Sequence, residues 1–407
     1  MRLTIAKTRK GLSGRVLKAL YKRALERTIA YAAPAWWTGT VNQCNKITSI
    51  QRQILLAVTG AFRTTSTAAL HVISGIEPID LILEMESVIY RAKQGEHIPS
   101  FLGKDLYQNN IEVFTNHWHH PGSISPPRWS SGNTQAAFAI YTDGSKINNQ
   151  VGAAFCTFGP DGDGEHLYRL NDHCSVFQAE LTALHQALRW KKTNWPGEQC
   201  HIFSDSLSSL KAINKLRPKN NLVEEVRNLC DNSTSLHWVK AHIGVAGNEA
   251  ADRAAKRASE KPDIDIHLGV PERSFRTTLR KLLHAEWQIR WNTDRNGRFT
   301  QQLFKEVKPS RCISNTYISQ LVTNHGLCPQ YLKRFNLKNC NCRCGEDTQD
   351  DVPHYVFSCP LTSHLRTSIK RDTRISQILA DRRLETEVLQ ILRYVYHQQD
   401  SIFELVD

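Results

Sequence analysis

The sequence predicts an α/β fold in the middle of the chain: a five-stranded mixed sheet with flanking helices. Three strand-like patterns follow one another there, and helical and strand-like patterns then alternate. Mainly helical segments precede and follow this region, and a small cysteine-rich module lies near the C-terminal end. For a chain of 407 residues we expect about two to four domains.

The N-terminal segment, residues 1–115, is predicted to be largely helical. Apolar residues recur at helical spacing from Leu12 to Ile29 and again from Ile47 to Val58. Residues 116–135 are rich in Pro, Gly, Ser and Asn, a composition typical of linkers. We therefore expect a domain boundary in this linker.

The central domain is predicted at residues 136–260. The expected strands are residues 137–142, 152–158, 166–170, 200–204 and 235–239. The expected helices are residues 177–190, 206–216 and 245–259. Consecutive strands followed by helix-strand alternation indicate a mixed sheet with helices packed on its faces.

Three further segments follow the central domain. Residues 261–338 are predicted to be helical and basic, residues 339–362 contain a cluster of Cys and His, and residues 363–407 form a helical tail. An amphipathic helix is expected near residues 384–396 of this tail.

The net charge of +13 is unevenly distributed along the chain. Residues 1–135 hold 16 basic and 8 acidic side chains and residues 253–338 hold 17 and 7, whereas residues 136–252 hold 11 and 13. Basic flanks suit the binding of phosphate backbones, and an acidic centre leaves carboxylates for other work. Solvated helix faces would also explain basic flanks, so charge alone leaves both interpretations open.

No stretch has the length of a membrane span or the apolar core of a signal peptide. We therefore expect an intracellular protein without a membrane partner, and the sequence does not distinguish nucleus from cytoplasm.

Several carboxylates in the central domain occupy positions from which they can meet. Asp143 follows the first predicted strand, Asp205 follows the fourth, and Glu180 lies early in the long helix. Asp252, in the last helix, can complete a set of four oxygen ligands, which suits Mg²⁺. Two such ions can activate water and stabilise the leaving oxygen of a phosphodiester. Any one of these acids alone would be read as a helix cap or turn residue.

The joint pattern resembles the type 1 ribonuclease H family. The motifs that carry the resemblance occur in family order: Tyr141-Thr142-Asp143-Gly144-Ser145, Gln178-Ala179-Glu180-Leu181, Ser204-Asp205-Ser206 and the stretch from Trp238 to Asp252 that contains Lys240-Ala241-His242 and Gly247-Asn248-Glu249. The resemblance implies hydrolysis of the RNA strand of RNA-DNA hybrids with two Mg²⁺ ions, or Mn²⁺ in their place.

The resemblance also implies roles for individual residues. Asp143, Glu180, Asp205 and Asp252 would be the metal-binding quartet, and His242 would assist proton transfer or product release from a mobile loop. The implied substrate contacts are Gly144, Ser145, Gln178 and Asn248.

The cysteine-rich segment has the spacing of a metal site. Cys342, Cys344, His354 and Cys359 offer four soft or borderline ligands, which suits a structural Zn²⁺ in a zinc-knuckle-like module. Cys340 is an alternative first ligand, and a coincidental cluster of free thiols is the competing interpretation.

Both flanks resemble the C-terminal part of polyproteins from non-LTR (LINE-type) retrotransposons. The resemblance lies in the stretch from Tyr31 to Trp36, in Ile50-Gln51-Arg52, in residues 59–65 and 74–78, and in the Cys/His cluster. It implies that residues 1–115 are a thumb- or connection-like remnant of a reverse transcriptase.

The chain departs from that family because it has no aromatic-x-Asp-Asp polymerase motif. We expect the tail of a longer reading frame, and the full-length polyprotein as a partner beside the RNA-DNA hybrid. The sequence does not decide whether Met1 is the true start. The alternative to an active hybrid ribonuclease is a catalytically idle, nucleic-acid-binding relic.

Overall fold

The computed structural model describes residues 11–106, 111–114, 125–132, 136–160, 162–218, 220–346 and 349–406. The chain divides into two compact units. The first, here called the flanking unit, contains Met1–Tyr90, Phe101–Lys104 and Leu279–Asp407. The second, here called the sheet unit, contains Arg91–Ser100 and Asp105–Thr278. The flanking unit thus combines residues from the predicted N-terminal, basic, cysteine-rich and C-terminal segments.

Strands and helices occur in both units. Within the described ranges the strands are β1 (Ser100–Phe101), β2 (Lys104–Asp105), β3 (Trp129–Ser131), β4 (Ala139–Ile147), β5 (Gln150–Phe158), β6 (Gly164–Leu170), β7 (Cys200–Ser204), β8 (Thr234–Trp238), β9 (Cys340–Cys342) and β10 (Phe403–Leu405).

The α-helices in these ranges are α1 (Gly14–Leu20), α2 (Glu26–Ala30), α3 (Ala33–Trp36), α4 (Val41–Thr59), α5 (Thr67–Ser74), α6 (Ile79–Lys93), α7 (Val176–Asn194), α8 (Leu207–Ile213), α9 (Asn221–Leu229), α10 (Ala246–Ser259), α11 (Glu272–Thr293), α12 (Arg298–Leu303), α13 (Thr316–Thr323), α14 (Pro329–Arg334), α15 (Ile375–Ala380), α16 (Arg382–His397) and α17 (Gln399–Ile402). Tyr21–Leu25 and His354–Ser358 are π-helical, and Pro360–Leu365 is a 3₁₀-helix.

The main sheet has the order β3-β8-β7-β4-β5-β6. Its first four strands are parallel neighbours, and β5 and β6 join in antiparallel pairs. The predicted α/β class and mixed sheet are confirmed, but the sheet has a sixth strand. This edge strand, β3, falls in the predicted linker and pairs with β8 through three residues, too few for a period-2 pattern to reveal. Residues 116–124 and 133–135 of that linker lie outside the described residues.

Strand β4 extends beyond the predicted end at Thr142. It continues to Ile147, which pairs with Gln150 across a turn whose two residues, Asn148 and Asn149, have φ of 49° and 65°. Asn tolerates this left-handed conformation, which suits a tight hairpin. The parallel pairing of β4 with β7, however, ends at Thr142 and Ser204.

Alternating side chains of the sheet pack against helices on its two faces. Ile140 and Ile202 pack with Leu184 of α7 on one face. Tyr141 and Phe203, whose rings stack with centroids 4.6 Å apart, pack with the alanines of α10 on the other. This alternation is the expected consequence of the strand repeat. Helix α9, which the sequence analysis did not predict, contributes to the first face.

The flanking unit has a separate hydrophobic core. Leu55, Ile73, Leu321, Tyr355 and Ile391, which are distant in sequence, are fully buried in it. Strand β9 of the cysteine-rich segment pairs with β10, so this segment is part of the same unit. None of the helices in the described ranges has the length and apolar composition needed to cross a membrane.

A capping box fixes the start of α7, the helix that carries Glu180. The backbone amide of Gln178 donates to the Ser175 hydroxyl at 3.2 Å, and the Ser175 amide donates to the Gln178 side-chain oxygen at 3.0 Å. Two backbone donors at the helix start are thereby satisfied.

Replacement of the cap should weaken the sheet unit. We expect Ser175→Ala to lower the free energy of unfolding by about 1 kcal/mol, measured by urea denaturation, because the Gln178 amide loses its acceptor. Ser175→Thr keeps an acceptor and is the matched control. Equal stability of Ser175→Ala and the original protein would contradict this role.

Candidate active site and cysteine cluster

Three carboxylates meet at one edge of the sheet. Asp143 and Asp205 each follow the last parallel pair of β4 and β7, and Glu180 comes from the second turn of α7. One ligand oxygen from each residue lies within 4.8 Å of the others. Asp143 and Glu180 are buried, and Asp205 is partly exposed.

Burial and neighbouring acids raise the proton affinity of Asp143 and Glu180. Burial, with Asp205 and then Asp252 nearby, raises the pKa of Asp143 to about 7. Burial, followed by Asp143 and Asp205, raises the pKa of Glu180 well above its ordinary value. The Oε2 atom of Glu180 is buried and has no hydrogen-bond partner among the described residues. The group therefore requires protons or a cation in order to be stable.

Glycine permits the close approach of α7 to β4. A Cβ atom on Gly144 would lie 2.4 Å from the backbone nitrogen of Glu180. Any larger residue at position 144 would force the strand and the helix apart. The residue next to Asp143 therefore sets the distance between Asp143 and Glu180.

Two neighbours hold Asp205. The Asn248 side-chain amide donates to its carboxylate at 3.2 Å, and the Trp238 indole donates to its backbone carbonyl at 3.1 Å. Asn248 is 3% exposed, so its position is fixed by packing. Both residues orient Asp205 toward the other two acids.

Asp252 lies outside the group of three ligand oxygens. Its carboxylate accepts a hydrogen bond from Lys256 at 2.7 Å along α10. It is nevertheless close enough to raise the pKa of Asp143. Sequence reasoning missed Lys256, although the spacing of four residues on a helix predicts such an ion pair.

His242 is exposed on the loop between β8 and α10. Its φ of 57° is unusual for a residue other than glycine, and Gly244 follows with φ of 84°. The loop thus presents the imidazole to solvent, and its assisting role remains a prediction.

The predicted substrate contacts differ in accessibility. Ser145 is half-buried on β4, whereas Gly144 and Gln178 are buried. The side-chain amide nitrogen of Gln178 donates to the carbonyl of Gly269 at 3.0 Å. The side-chain oxygen of Gln178 accepts from the Ser175 amide in the capping box. Since Gln178 and Asn248 have internal partners, substrate binding remains a prediction for all four residues.

The second cluster consists of Cys342, Cys344, His354 and Cys359, whose ligand atoms all lie within 4.8 Å of one another. The Sγ atoms of Cys342 and Cys359 are 3.7 Å apart, and Cys344 Sγ is 3.6 Å from His354 Nε2. Sulfurs bound at about 2.3 Å around tetrahedral Zn²⁺ would be separated by about 3.8 Å. The spacing therefore matches the edges of a zinc tetrahedron.

The thiols share their protons unequally. Hydrogen bonds from Cys359 and, to a smaller extent, His354 lower the pKa of Cys342 to about 3. Burial of the thiol opposes this shift. The same contact with Cys342, followed by burial, raises the pKa of Cys359. A thiolate already favoured inside the cluster is the form that binds metal. Cys340, the alternative ligand of the sequence analysis, is fully buried but is not part of the cluster.

Residues 135–260 match the family model for ribonuclease H (RNase H). Curated relatives extend the similarity. The "Retrovirus-related Pol polyprotein from type-1 retrotransposable element R1" of Popillia japonica is 26% identical over 207 residues, 48% of this chain and 81% of that protein.

Two further relatives match shorter stretches. The "Retrovirus-related Pol polyprotein from type-1 retrotransposable element R1 4" of Nasonia vitripennis is 30% identical over 23% of this chain and 24% of its own length. The "Putative 115 kDa protein in type-1 retrotransposable element R1DM" of Drosophila melanogaster is 33% identical over 21% of this chain and 8% of its own length. The recognition of a ribonuclease H domain with similarity to LINE-type polyproteins is confirmed.

The site should make metal-free stability depend on pH. With a pKa of about 7 in the folded protein and an ordinary value of 3.8, Asp143 takes up a proton on folding at any pH between these values. Its stabilising contribution is therefore fully present below about pH 4 and is lost as the pH rises through 7. Without divalent ions, Asp143→Asn should reduce the difference in urea midpoint between about pH 5 and pH 8. Asp263→Asn, at an exposed position, is the control, and an unchanged difference in Asp143→Asn would refute the assignment.

Proposed function

We propose that this chain cleaves the RNA strand of RNA-DNA hybrids by two-metal-ion catalysis, because residues 135–260 match the ribonuclease H family model. The observation that carries the proposal is the meeting of Asp143, Glu180 and Asp205 around one point. Three carboxylates from two strand ends and a helix form a site for a hard cation.

The residues fit Mg²⁺. The donor set consists of oxygens, which Mg²⁺ and Mn²⁺ prefer, and the partnerless Glu180 Oε2 offers a ligand atom. Asp143, Glu180 and Asp205 would hold the ions, and Asp252 would join them. The Lys256 pair that engages Asp252 is partly exposed, and such pairs are weak enough to exchange. Bound Mg²⁺ supplies an activated water and stabilises the leaving 3′ oxygen.

The protein's own residues contribute orientation and proton transfer. Asn248 and Trp238 keep Asp205 in place, and Gly144 lets Glu180 approach Asp143. His242 offers an imidazole on an exposed loop, where it can accept or donate a proton during the reaction. The products would be 5′-phosphate and 3′-hydroxyl ends.

The biological setting we propose follows from the relatives, whose names describe Pol polyproteins of retrotransposable elements. A hybrid ribonuclease in such an element would remove template RNA after first-strand cDNA synthesis, and the full-length polyprotein would be its partner.

Cleavage of a labelled RNA-DNA duplex in Mg²⁺ tests this proposal. We expect the full chain to cut the hybrid and to leave RNA-RNA and DNA-DNA duplexes intact. Asp205→Asn should reduce the rate at least about 100-fold, because it removes a metal-binding charge and keeps the side-chain shape. Asp263→Asn, on the exposed surface, should leave the rate unchanged.

The rival function is an idle nucleic-acid-binding relic. A folded, metal-replete chain that binds the hybrid without cutting it would establish that alternative. Cutting that Asp205→Asn does not reduce would instead assign the activity to a contaminant.

For the second cluster we propose a structural Zn²⁺ held by Cys342, Cys344, His354 and Cys359. The tetrahedral spacing of the ligand atoms supports it. The Ser358 hydroxyl contacts His354 Nδ1 at 3.4 Å, which directs Nε2 toward the thiols as an outer-shell partner does. Four protein ligands with no open position favour a role in folding.

Two cysteines of β9 offer a matched test. Cys342→Ala should lose bound zinc, measured by elemental analysis of the purified chain, and should lower the melting temperature. Cys340→Ala removes an equally buried thiol outside the cluster and should retain zinc. Equal zinc content in both variants would contradict the ligand assignment.

A further inference from the structure

The flanking unit contains a basic pocket of about 760 Å³. Its walls come from the segment that enters α5, from the segment between α11 and α12, and from α14. The charged residues among its described lining are Arg52, Arg295, Arg298, Arg334 and the single acid Asp294. The pocket therefore attracts anions.

Arg52 builds the wall of the pocket. Its guanidinium donates to the Thr67 hydroxyl at 2.7 Å and to the backbone carbonyls of Arg63 and Thr65 at 2.6 and 2.7 Å. These bonds fix the segment that leads into α5. Arg52 thus stabilises the fold around the pocket, and the other three arginines of the described lining are left to contact a ligand.

The first turn of α5 faces the pocket. Ser66 caps the helix by accepting from the amide of Ala69. The amides of Thr67 and Ala68, which also line the pocket, have no partner among the described residues. Free amides at the positive end of a helix dipole bind phosphate oxygens.

Thr65 supplies an independent observation. It lines the pocket and is 2% exposed, and its hydroxyl oxygen has no hydrogen-bond partner within the described residues. A buried hydroxyl without a partner is rare in folded proteins and needs an explanation. A ligand in the pocket would provide it.

The three remaining arginines are free to bind. Arg295, Arg298 and Arg334 are exposed. None of their side chains makes a hydrogen bond or ion pair within the described ranges, although the Arg334 guanidinium lies over the Phe335 ring. Gly297, with φ of +75°, brings the first two to the start of α5, because a Cβ there would lie 2.7 Å from the Ser66 hydroxyl. The close packing of Gly297 on Ser66 therefore fixes the segment before α12 against the start of α5.

The pocket is too large for a lone phosphate and has an aromatic side. Tyr331 donates to or accepts from the Thr64 hydroxyl at 2.9 Å, and the half-buried Phe335 lies beneath the Arg334 guanidinium at 5.6 Å. Aromatic rings beside a row of arginines are typical of sites for single-stranded nucleic acids, whose bases stack while their phosphates pair with cations.

We propose that this pocket binds the phosphate backbone of a single-stranded nucleic acid. Arg295, Arg298 and Arg334 pair with successive phosphates, and the start of α5 receives one of them with the Thr65 hydroxyl beside it. Phe335 supports a base. The pocket lies outside the carboxylate site and does not depend on its activity.

The test is binding of a fluorescein-labelled dT₁₂ oligonucleotide to the full chain in Mg²⁺-free buffer, measured by anisotropy across a salt series. Combined Arg295→Ala, Arg298→Ala and Arg334→Ala should weaken binding at least about tenfold and reduce the slope of log K against log salt by about 2. The matched control combines Arg23→Ala, Arg27→Ala and Arg382→Ala, exposed arginines of the same unit outside the pocket. It loses the same charge and should change binding less than about threefold.

The remaining outcomes decide against the proposal. Equal losses in both triple variants would mean attraction by net charge alone, and no loss in either would place the strand elsewhere. Unlabelled dT₁₂ should displace labelled dT₁₂ at lower concentrations than inorganic phosphate or dTTP. If phosphate or dTTP displaces it at equally low concentrations, the pocket binds a small phosphate ligand instead.

Thr65→Val separates binding from folding. Because the hydroxyl has no internal partner, its removal should not lower the melting temperature of the chain. We expect weaker dT₁₂ binding at unchanged stability. A variant that melts earlier with unaltered binding would show that Thr65 serves the structure only.

Discussion

Mutual repulsion among buried carboxylates is the constraint on which the sheet unit depends. One ligand oxygen each of Asp143, Glu180 and Asp205 lies within 4.8 Å of the others. Asp205 disfavours the charge of Asp143 and Glu180, and Asp143 disfavours the charge of Glu180. Such a group persists only where stronger interactions fix its carriers. Here the parallel pairing of β4 with β7 and the packing of α7 over Ile140 and Ile202 do so, so the hydrophobic core stabilises the arrangement that the acids oppose.

The structure also limits the repulsion. Lys256 pairs with Asp252 and so places a cation beside the acids. This cation opposes part of the rise in the pKa of Asp143. Asn248 gives Asp205 a hydrogen bond without adding charge. If the site binds metal as proposed, Asp252 can exchange Lys256 for a metal ion, since their ion pair lies partly exposed.

The sequence predicted the parts of this site that depend on local pattern. Asp143, Glu180 and Asp205 follow from where strands end and where a helix begins. Strand β3 did not, because its three residues pair only after β8 is in place and carry no pattern of their own. The basic pocket was equally hidden, since residues 52–69 and 294–335 meet only in the folded flanking unit.

If the chain acts on nucleic acid as proposed, the distribution of charge favours nucleic-acid contacts outside the ribonuclease H-like region. Residues 136–252 hold 11 basic and 13 acidic side chains, so this region has little attraction for a polyanion. More arginine and lysine around the carboxylates would compete with the proposed metal ions for them, because each cation could pair with an acid as Lys256 pairs with Asp252. Affinity for phosphate is therefore most effectively supplied by the basic flanks, where the excess of positive charge lies. The acidic site is then left to bind metal.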